Sequence, residues 1–245
     1  GCWTTTALPD TVPRDGAKRR SVALRQIITD HFAFFREFRR QFDTTGSIAP
    51  SSRFLARALC RPFERREQAG SQTSSVEAAR PVRVLEVGPG TGAVTHRLVK
   101  LLRPGDVLDL VELNPEFVAV LNRKFAGDFA SVANQATVYE RSLEAHDSDA
   151  PYDFVISGLP LNNFPPDLVE RIFQAYFRLL APTGTLSYFE YMFIRPLRRK
   201  VGRRKERARM TEVNGVIRPY LHQYRFQRDW VFVNFPPAWV QHLRH

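Results

Sequence analysis

The spacing of apolar residues changes once along the 245-residue chain. Between Leu24 and Phe42 it follows a helical period. Leu24, Ile27, Ile28, His31, Phe34, Phe35, Phe38 and Phe42 share one face, with Phe32 at its border. Arg25, Gln26, Thr29, Arg36, Glu37 and Arg40 lie opposite. Pro50-Ser51-Ser52 then reads as a helix start capped by serine, continued by a short helix from Arg53 to Phe63. Residues 1–17 read as a loose tail, 18–66 as an accessory helical region and 67–80 as a Gly/Ser-containing linker.

From Pro81 the pattern becomes an alternation of short apolar runs and amphipathic segments. Strands are predicted at Val82–Val87, Val107–Val111, Thr137–Tyr139, Phe154–Ser157 and Thr185–Tyr191. Helices are predicted at Val94–Leu102, Pro115–Phe125 and Asp167–Leu180, the last ended by Pro182 and Gly184. Such alternation implies right-handed βαβ crossovers and a mostly parallel sheet covered on both faces. Tyr224–Phe226 and Val231–Phe235 have no helix between them, so an antiparallel hairpin should complete a seven-stranded α/β sheet. The expected fold is a Rossmann-like domain over 81–245 with an N-terminal helical extension.

Composition adds limits. An apolar share of 43% supports a sizeable core. Two cysteines, Cys2 and Cys60, do not make a disulfide framework, which points to a reducing compartment. No apolar run approaches the roughly eighteen residues of a membrane span, and no secretory h-region is visible. His, Cys and Asp show no metal-ligand spacing, so no metal is expected.

The net charge of +11 is local. Arg14–Arg40 carries eight basic residues against three acids, and Arg195–Arg209 nine against one. These segments hold +5 and +8, which leaves −2 on everything else. The partner this suggests is a polyanionic surface, membrane or nucleic acid. A basic face backed by Phe and Ile suits a helix lying at a membrane interface, and equally a helix packing its Phe stripe on the core.

The sharpest motif is Glu86-Val87-Gly88-Pro89-Gly90-Thr91-Gly92, at a strand end where parallel sheets bind ligands. Glu112, twenty residues beyond Gly92, ends the second strand, where it can accept from both hydroxyls of a ribose. With Ala93 in the third small position the loop also satisfies a dinucleotide pattern. Glu86, two residues before the first glycine, favours S-adenosylmethionine, because a carboxylate there orients the amino-acid end of that cofactor. With Glu86 the loop resembles the first motif of class I methyltransferases.

The fourth-strand loop, Ser157-Gly158-Leu159-Pro160-Leu161-Asn162-Asn163-Phe164, occupies the place of the Asn-Pro-Pro-Tyr loop of amino-methyltransferases that act on bases. Ser157 replaces the Asn and Leu161 the aromatic, so a flipped base has little to stack on. Together with Ala49-Pro50-Ser51-Ser52-Arg53 and Asn234-Phe235-Pro236-Pro237-Ala238, the chain resembles bacterial phospholipid N-methyltransferases, relatives of the rRNA adenine dimethyltransferases. The resemblance covers about Gly46 to Val240.

It implies stepwise methylation of phosphatidylethanolamine to phosphatidylcholine by an enzyme peripherally attached to the cytoplasmic face of the cell membrane. For S-adenosylmethionine it implies contacts from Ser51, Ser52, Glu86, Gly88, Gly90, Thr91, Gly92, Glu112, Leu113, Arg141, Ser142, Ser157, Gly158 and Leu159. Arg141-Ser142 stands where the family often has an acid for the adenine amine. Tyr188, Glu190 and Tyr191, ending the fifth strand, are candidates to accept the ammonium proton or orient water. Alternation along the strand sets Tyr188 and Glu190 on one face and Tyr191 on the other. Arg195, Arg198 and Arg199 are candidates for the lipid phosphate, and Arg25 and Arg36 for the anionic membrane surface. Two other readings remain: an rRNA adenine methyltransferase, and a noncatalytic membrane- or RNA-binding protein that keeps the fold.

Overall fold

A five-residue strand, β1 (Arg83–Val87), lies in the interior of the sheet, its last four residues buried. The computed structural model describes residues 50–72, 80–192, 203–234 and 237–245, all within one unit, Thr45–His245. The side chains of residues 50–52, 67–72, 163 and 203–208 are not among those described. The amphipathic helix expected over Leu24–Phe42, with Arg25 and Arg36, and the segment carrying Arg195, Arg198 and Arg199 lie outside the described residues.

Among the described residues the first element is α1 (Pro50–Gln72), followed by β1, a single helical turn α2 (Thr95–Leu98), β2 (Val107–Glu112) and α3 (Pro115–Ala126). Next come β3 (Ala136–Glu140), β4 (Tyr152–Ser157), α4 (Pro166–Leu179) and β5 (Leu180–Tyr191). A long helix, α5 (Arg203–Tyr224), precedes the closing hairpin of β6 (Arg225–Val231) and β7 (Ala238–Arg244). The strand order is β3-β2-β1-β4-β5-β7-β6. The first five strands are parallel, and β7 is antiparallel to both β5 and β6.

Local sequence accounts for the well-matched elements. Asn114 caps α3 by accepting from Glu116 N at 2.8 Å, with Pro115 in the first turn. On α4, Val169, Ile172, Phe173, Tyr176 and Leu179 form the buried stripe. On α1 the buried residues are Ala56, Ala58, Leu59, Cys60 and Phe63, and all but Ala58 are spaced three and four apart. Phe63 meets Phe154 of β4 edge to face, so α1 covers one sheet face. Tyr176 and Phe173 place α4 on the other, against Ser157 and Tyr188.

Several expectations need correction. The helix begun at Pro50 runs to Gln72, so residues 67–72 are helical rather than linker. The helix expected over Val94–Leu102 is one turn. No helix joins β3 to β4; His146 and Tyr152 are buried there instead, bonded to each other and, through the tyrosine hydroxyl, to Asp109. The hairpin forms, but with its strands at 225–231 and 238–244. Val231–Phe235 alternates like a strand, yet the strand ends at Val231 and the chain turns at Phe232 and Val233. Helix α5 was not anticipated, because its first turns are basic and carry no apolar stripe.

Candidate active site

Gly88, Gly90 and Gly92 all adopt positive φ (65°, 57° and 87°), backbone that other residues rarely adopt. This explains the three glycines between β1 and α2. The loop is then tied down from three sides. Gly88 N donates to Val111 O at 2.9 Å and Gly90 N to Glu112 Oε2 at 2.9 Å. Thr91 O accepts from Lys124 Nζ of α3 at 2.7 Å. Lys124 was not singled out in the sequence, where nothing in its spacing marks it.

Glu112 is buried and satisfies three backbone donors: Gly90 N on Oε2, and Leu113 N and Asn114 N on Oε1, both at 2.9 Å. A carboxylate offers about four lone-pair sites. One remains, on Oε2, so Glu112 has room for one direct ribose hydroxyl, where the sequence reading expected two. Leu113 contributes its backbone here. Glu86 is buried on the α1 side, and its Oε2 accepts from Thr95 Oγ1 at 2.7 Å.

The fourth-strand loop is joined to the glycine loop by close backbone contact. Gly158 N donates to Val87 O at 2.8 Å. A Cβ on Gly158 would lie 2.7 Å from Gly88 O, and one on Gly88 would lie 2.6 Å from Leu159 Cδ2. Gly158 and Leu159 thus stand beside the glycine loop. Ser157 does not present its side chain there. It is buried, its Oγ shared with the Tyr176 hydroxyl at 2.6 Å and with Leu159 N at 3.2 Å. Ser157 shapes the loop from the core instead.

Arg141 N donates to Glu112 O at 3.1 Å, which brings the end of β3 beside the ribose carboxylate. Its exposed guanidinium lies over the Tyr139 ring, 5.0 Å from the centroid. Ser142 opens the following turn, accepting from Ala145 N. Ser51 and Ser52 fall in the first turn of α1, with side chains beyond those described.

At the end of β5 the three candidates separate. Tyr188 is 0% exposed, with Phe173 edge-on at 5.3 Å, and its hydroxyl donates to Glu190 Oε1 at 3.0 Å. Burial pushes that phenol well up, reinforced by the Glu190 charge. Tyr188 is therefore a core residue that positions Glu190, a correction to its candidacy as proton acceptor. Tyr191 is also withdrawn: it is buried on the opposite face against Phe189, and its carbonyl accepts from Asn162 Nδ2 at 3.3 Å.

Glu190 remains. Gln241 Nε2 also donates to its Oε1, at 3.4 Å, and no described residue donates to Oε2. Burial raises its pKa despite these donors and the nearby Arg228 and Arg225. Because Ser157 pairs with Tyr188, Glu190 stands one pleat further on, level with the Gly158–Pro160 loop.

The left-handed glycine turn, two buried strand-end carboxylates and this strand order fit S-adenosylmethionine: glycine lets the backbone approach the cofactor closely, and Glu112 keeps one lone pair for a ribose hydroxyl. The site and fold define a class I S-adenosylmethionine-dependent methyltransferase, and residues 84–184 match the methyltransferase domain family. An ornithine lipid N-methyltransferase of Singulisphaera acidiphila is 30% identical over 167 residues, 66% of this chain and 79% of that enzyme. The chain belongs to its family.

The ribosomal RNA small subunit methyltransferase A of Parasynechococcus marenigrum is 40% identical over 90 residues, only 37% of this chain and 28% of that enzyme. Among solved structures, the magnesium protoporphyrin IX methyltransferase of Synechocystis PCC 6803, with bound SAH, aligns over 90% of this chain and 98% of that one at a TM-score of 0.58 and 13% identity. That likeness is one of fold. Among the described residues no helix is long and apolar enough to cross a membrane, and no group of His, Cys, Asp and Glu could hold a metal.

Proposed function

We propose that this enzyme methylates the primary amine of a membrane lipid headgroup, taking phosphatidylethanolamine and its mono- and dimethyl derivatives to phosphatidylcholine at the cytoplasmic membrane face. The observation that carries a lipid amine is the similarity to a lipid N-methyltransferase over four fifths of that protein. The fourth-strand loop supports it. Leu161 and Phe164 are buried, Asn162 is tied to Tyr191, and Ser157 is held by Tyr176, so the loop offers no described aromatic or amide for clasping a flipped base.

When bound, S-adenosylmethionine supplies a methyl carbon activated by its sulfonium. Glu112 would hold one ribose hydroxyl, the glycine turn would leave room for close approach of the cofactor, and Glu86 would orient its amino-acid end. Glu190 Oε2 takes the proton from the headgroup ammonium, directly or through water, freeing the nitrogen lone pair for in-line attack. An ordinary carboxylate is a weak base for an ammonium; the raised pKa of Glu190 narrows that gap.

A second reading, favoured by the same relative, places the acceptor amine on an ornithine lipid. Labelled S-adenosylmethionine offered with vesicles containing phosphatidylethanolamine, vesicles containing ornithine lipid, or undermethylated ribosomal RNA distinguishes these. Label in phosphatidylethanolamine and its methylated derivatives is expected. Label in ornithine lipid alone selects the second reading, and label in RNA alone overturns both.

A further inference from the structure

Three large apolar side chains crowd the turn between β6 and β7. Trp230, Phe232 and Val233 are 55%, 65% and 63% exposed. The two rings stack on each other at 5.5 Å, with Trp239 of β7 edge-on to Trp230 at 5.7 Å. Single exposed hydrophobes need no explanation, but three within four residues at a hairpin tip form a patch.

Topology decides where that patch sits. Both β5 and β6 are antiparallel to β7, so β6 runs in the direction of β5. Its tip therefore emerges at the edge of the sheet that carries the glycine loop and Glu190. Trp239 is paired with Glu190 on one side and Trp230 on the other. With strands about 4.8 Å apart, Trp230 stands roughly 10 Å from Glu190 across the sheet.

The charge of the hairpin points to one occupant. Arg228 is exposed on the tip side of β6 and lies over the Trp239 ring at 5.4 Å; Arg225 and Arg244, also exposed, stand at the far end of the two strands. The only acid of the two strands, Asp229, is buried and engaged by Arg61 and His242, so the exposed charge beside the tip aromatics is the Arg228 cation. Trp and Phe backed by arginine suit the headgroup level of an anionic leaflet, where rings enter the apolar boundary and guanidinium groups meet phosphate. The topology starts α5 at this same edge, and its first turns read Arg203, Arg204, Lys205, Arg207 and Arg209.

We infer that the β6–β7 tip is a membrane-insertion wedge: Trp230, Phe232 and Val233 enter the boundary between headgroups and acyl chains and set the cofactor edge of the sheet against the lipid surface. Its purpose rests on the lipid-acceptor reading; its test does not. The full chain is mixed with vesicles of equimolar phosphatidylglycerol and phosphatidylcholine, with and without brominated acyl chains. Tryptophan emission should shift to the blue and be quenched by bromine, and Trp230→Phe should remove most of that quenching.

The triple variant Trp230→Ser/Phe232→Ser/Val233→Ser should lower vesicle partition about tenfold or more. It should keep wild-type binding of S-adenosylhomocysteine, the sign that the sheet is intact. The conservative pair Trp230→Phe/Phe232→Leu should keep vesicle partition. Unquenched emission, or unchanged partition of the triple variant, overturns the wedge. So does a wild-type dimer that the triple variant breaks while vesicle binding stays the same, since the patch would then hold a second copy. If no lipid is methylated while quenching persists, the acceptor reading fails and the wedge stands.

Discussion

Gly158 has no space for a methyl group, because its Cβ position lies 2.7 Å from the carbonyl oxygen of Gly88. Gly158→Ala must push the fourth-strand loop off the cofactor cradle, and overpacking of this kind costs about 1–3 kcal/mol. Affinity for S-adenosylhomocysteine should fall about tenfold, measured by calorimetry; wild-type affinity would show that the two loops move independently. At Glu190 the chemistry follows burial. Its pKa is raised, so the carboxylate fills with protons as pH falls through a value above the ordinary Glu range, and activity should be lost on that acidic limb. Glu190→Gln should lower kcat by about 10²–10⁴ and flatten the limb, while cofactor affinity stays near wild type. An unchanged pH profile in the variant would move proton transfer elsewhere. Tyr188 shows why residue type at a strand end was a poor guide to role: the same position that faces the site from Glu190 faces Phe173 from Tyr188.

At the scale of elements, α1 is fastened to the sheet by two polar clusters. At its C-terminal half Arg66 pairs both oxygens of buried Asp106 (3.1 and 2.8 Å), which also accepts from Val82 N and Arg103 N. Burial pushes the Asp106 pKa up, but these donors outweigh it and the net shift is downward. Asp106→Asn should destabilise the protein by about 3 kcal/mol, read from denaturant unfolding, because it strips Arg66 of its buried counter-charge. The second cluster runs from Arg61 through Asp229 and His242 to Ser187, with His242 Nδ1 2.8 Å from Ser187 Oγ. Burial lowers the His242 pKa, although Asp229 opposes it. The unfolded chain therefore binds a proton more readily than the folded one, and stability falls as pH drops below about 6.5. In His242→Gln the loss of melting temperature between pH 7 and 5 should be smaller, though not absent, because buried His146 is shifted the same way. An identical slope would assign the acid sensitivity elsewhere. Neither cluster was legible beforehand: Ser187 and His242 are 55 positions apart, and only strand register makes them neighbours.

For the whole molecule, membrane attachment as proposed would combine two kinds of physics. Basic segments would draw the protein to an anionic leaflet over a distance set by salt, whereas the hairpin tip would act only on contact. Binding to anionic vesicles should weaken as ionic strength rises, and removal of residues 1–42 should weaken it much more than cofactor binding; equal vesicle binding by the shortened chain would exclude that segment from attachment. What the amino-acid sequence determined by itself was whatever short-range pattern encodes: the strand and helix alternation, the left-handed glycine turn between β1 and α2, the acid that ends β2, and the antiparallel closure. These depend on backbone sterics and on side-chain period within a few residues. The tertiary structure alone decided which polar groups spend their hydrogen bonds on the core. It turned Ser157 and Tyr188 inward, left Glu190 one oxygen without a donor among the described residues, filled three of the four sites on Glu112, and brought Trp230 to the cofactor edge. Those outcomes depend on register between distant strands and on which helix covers each face, and no local spacing contains them.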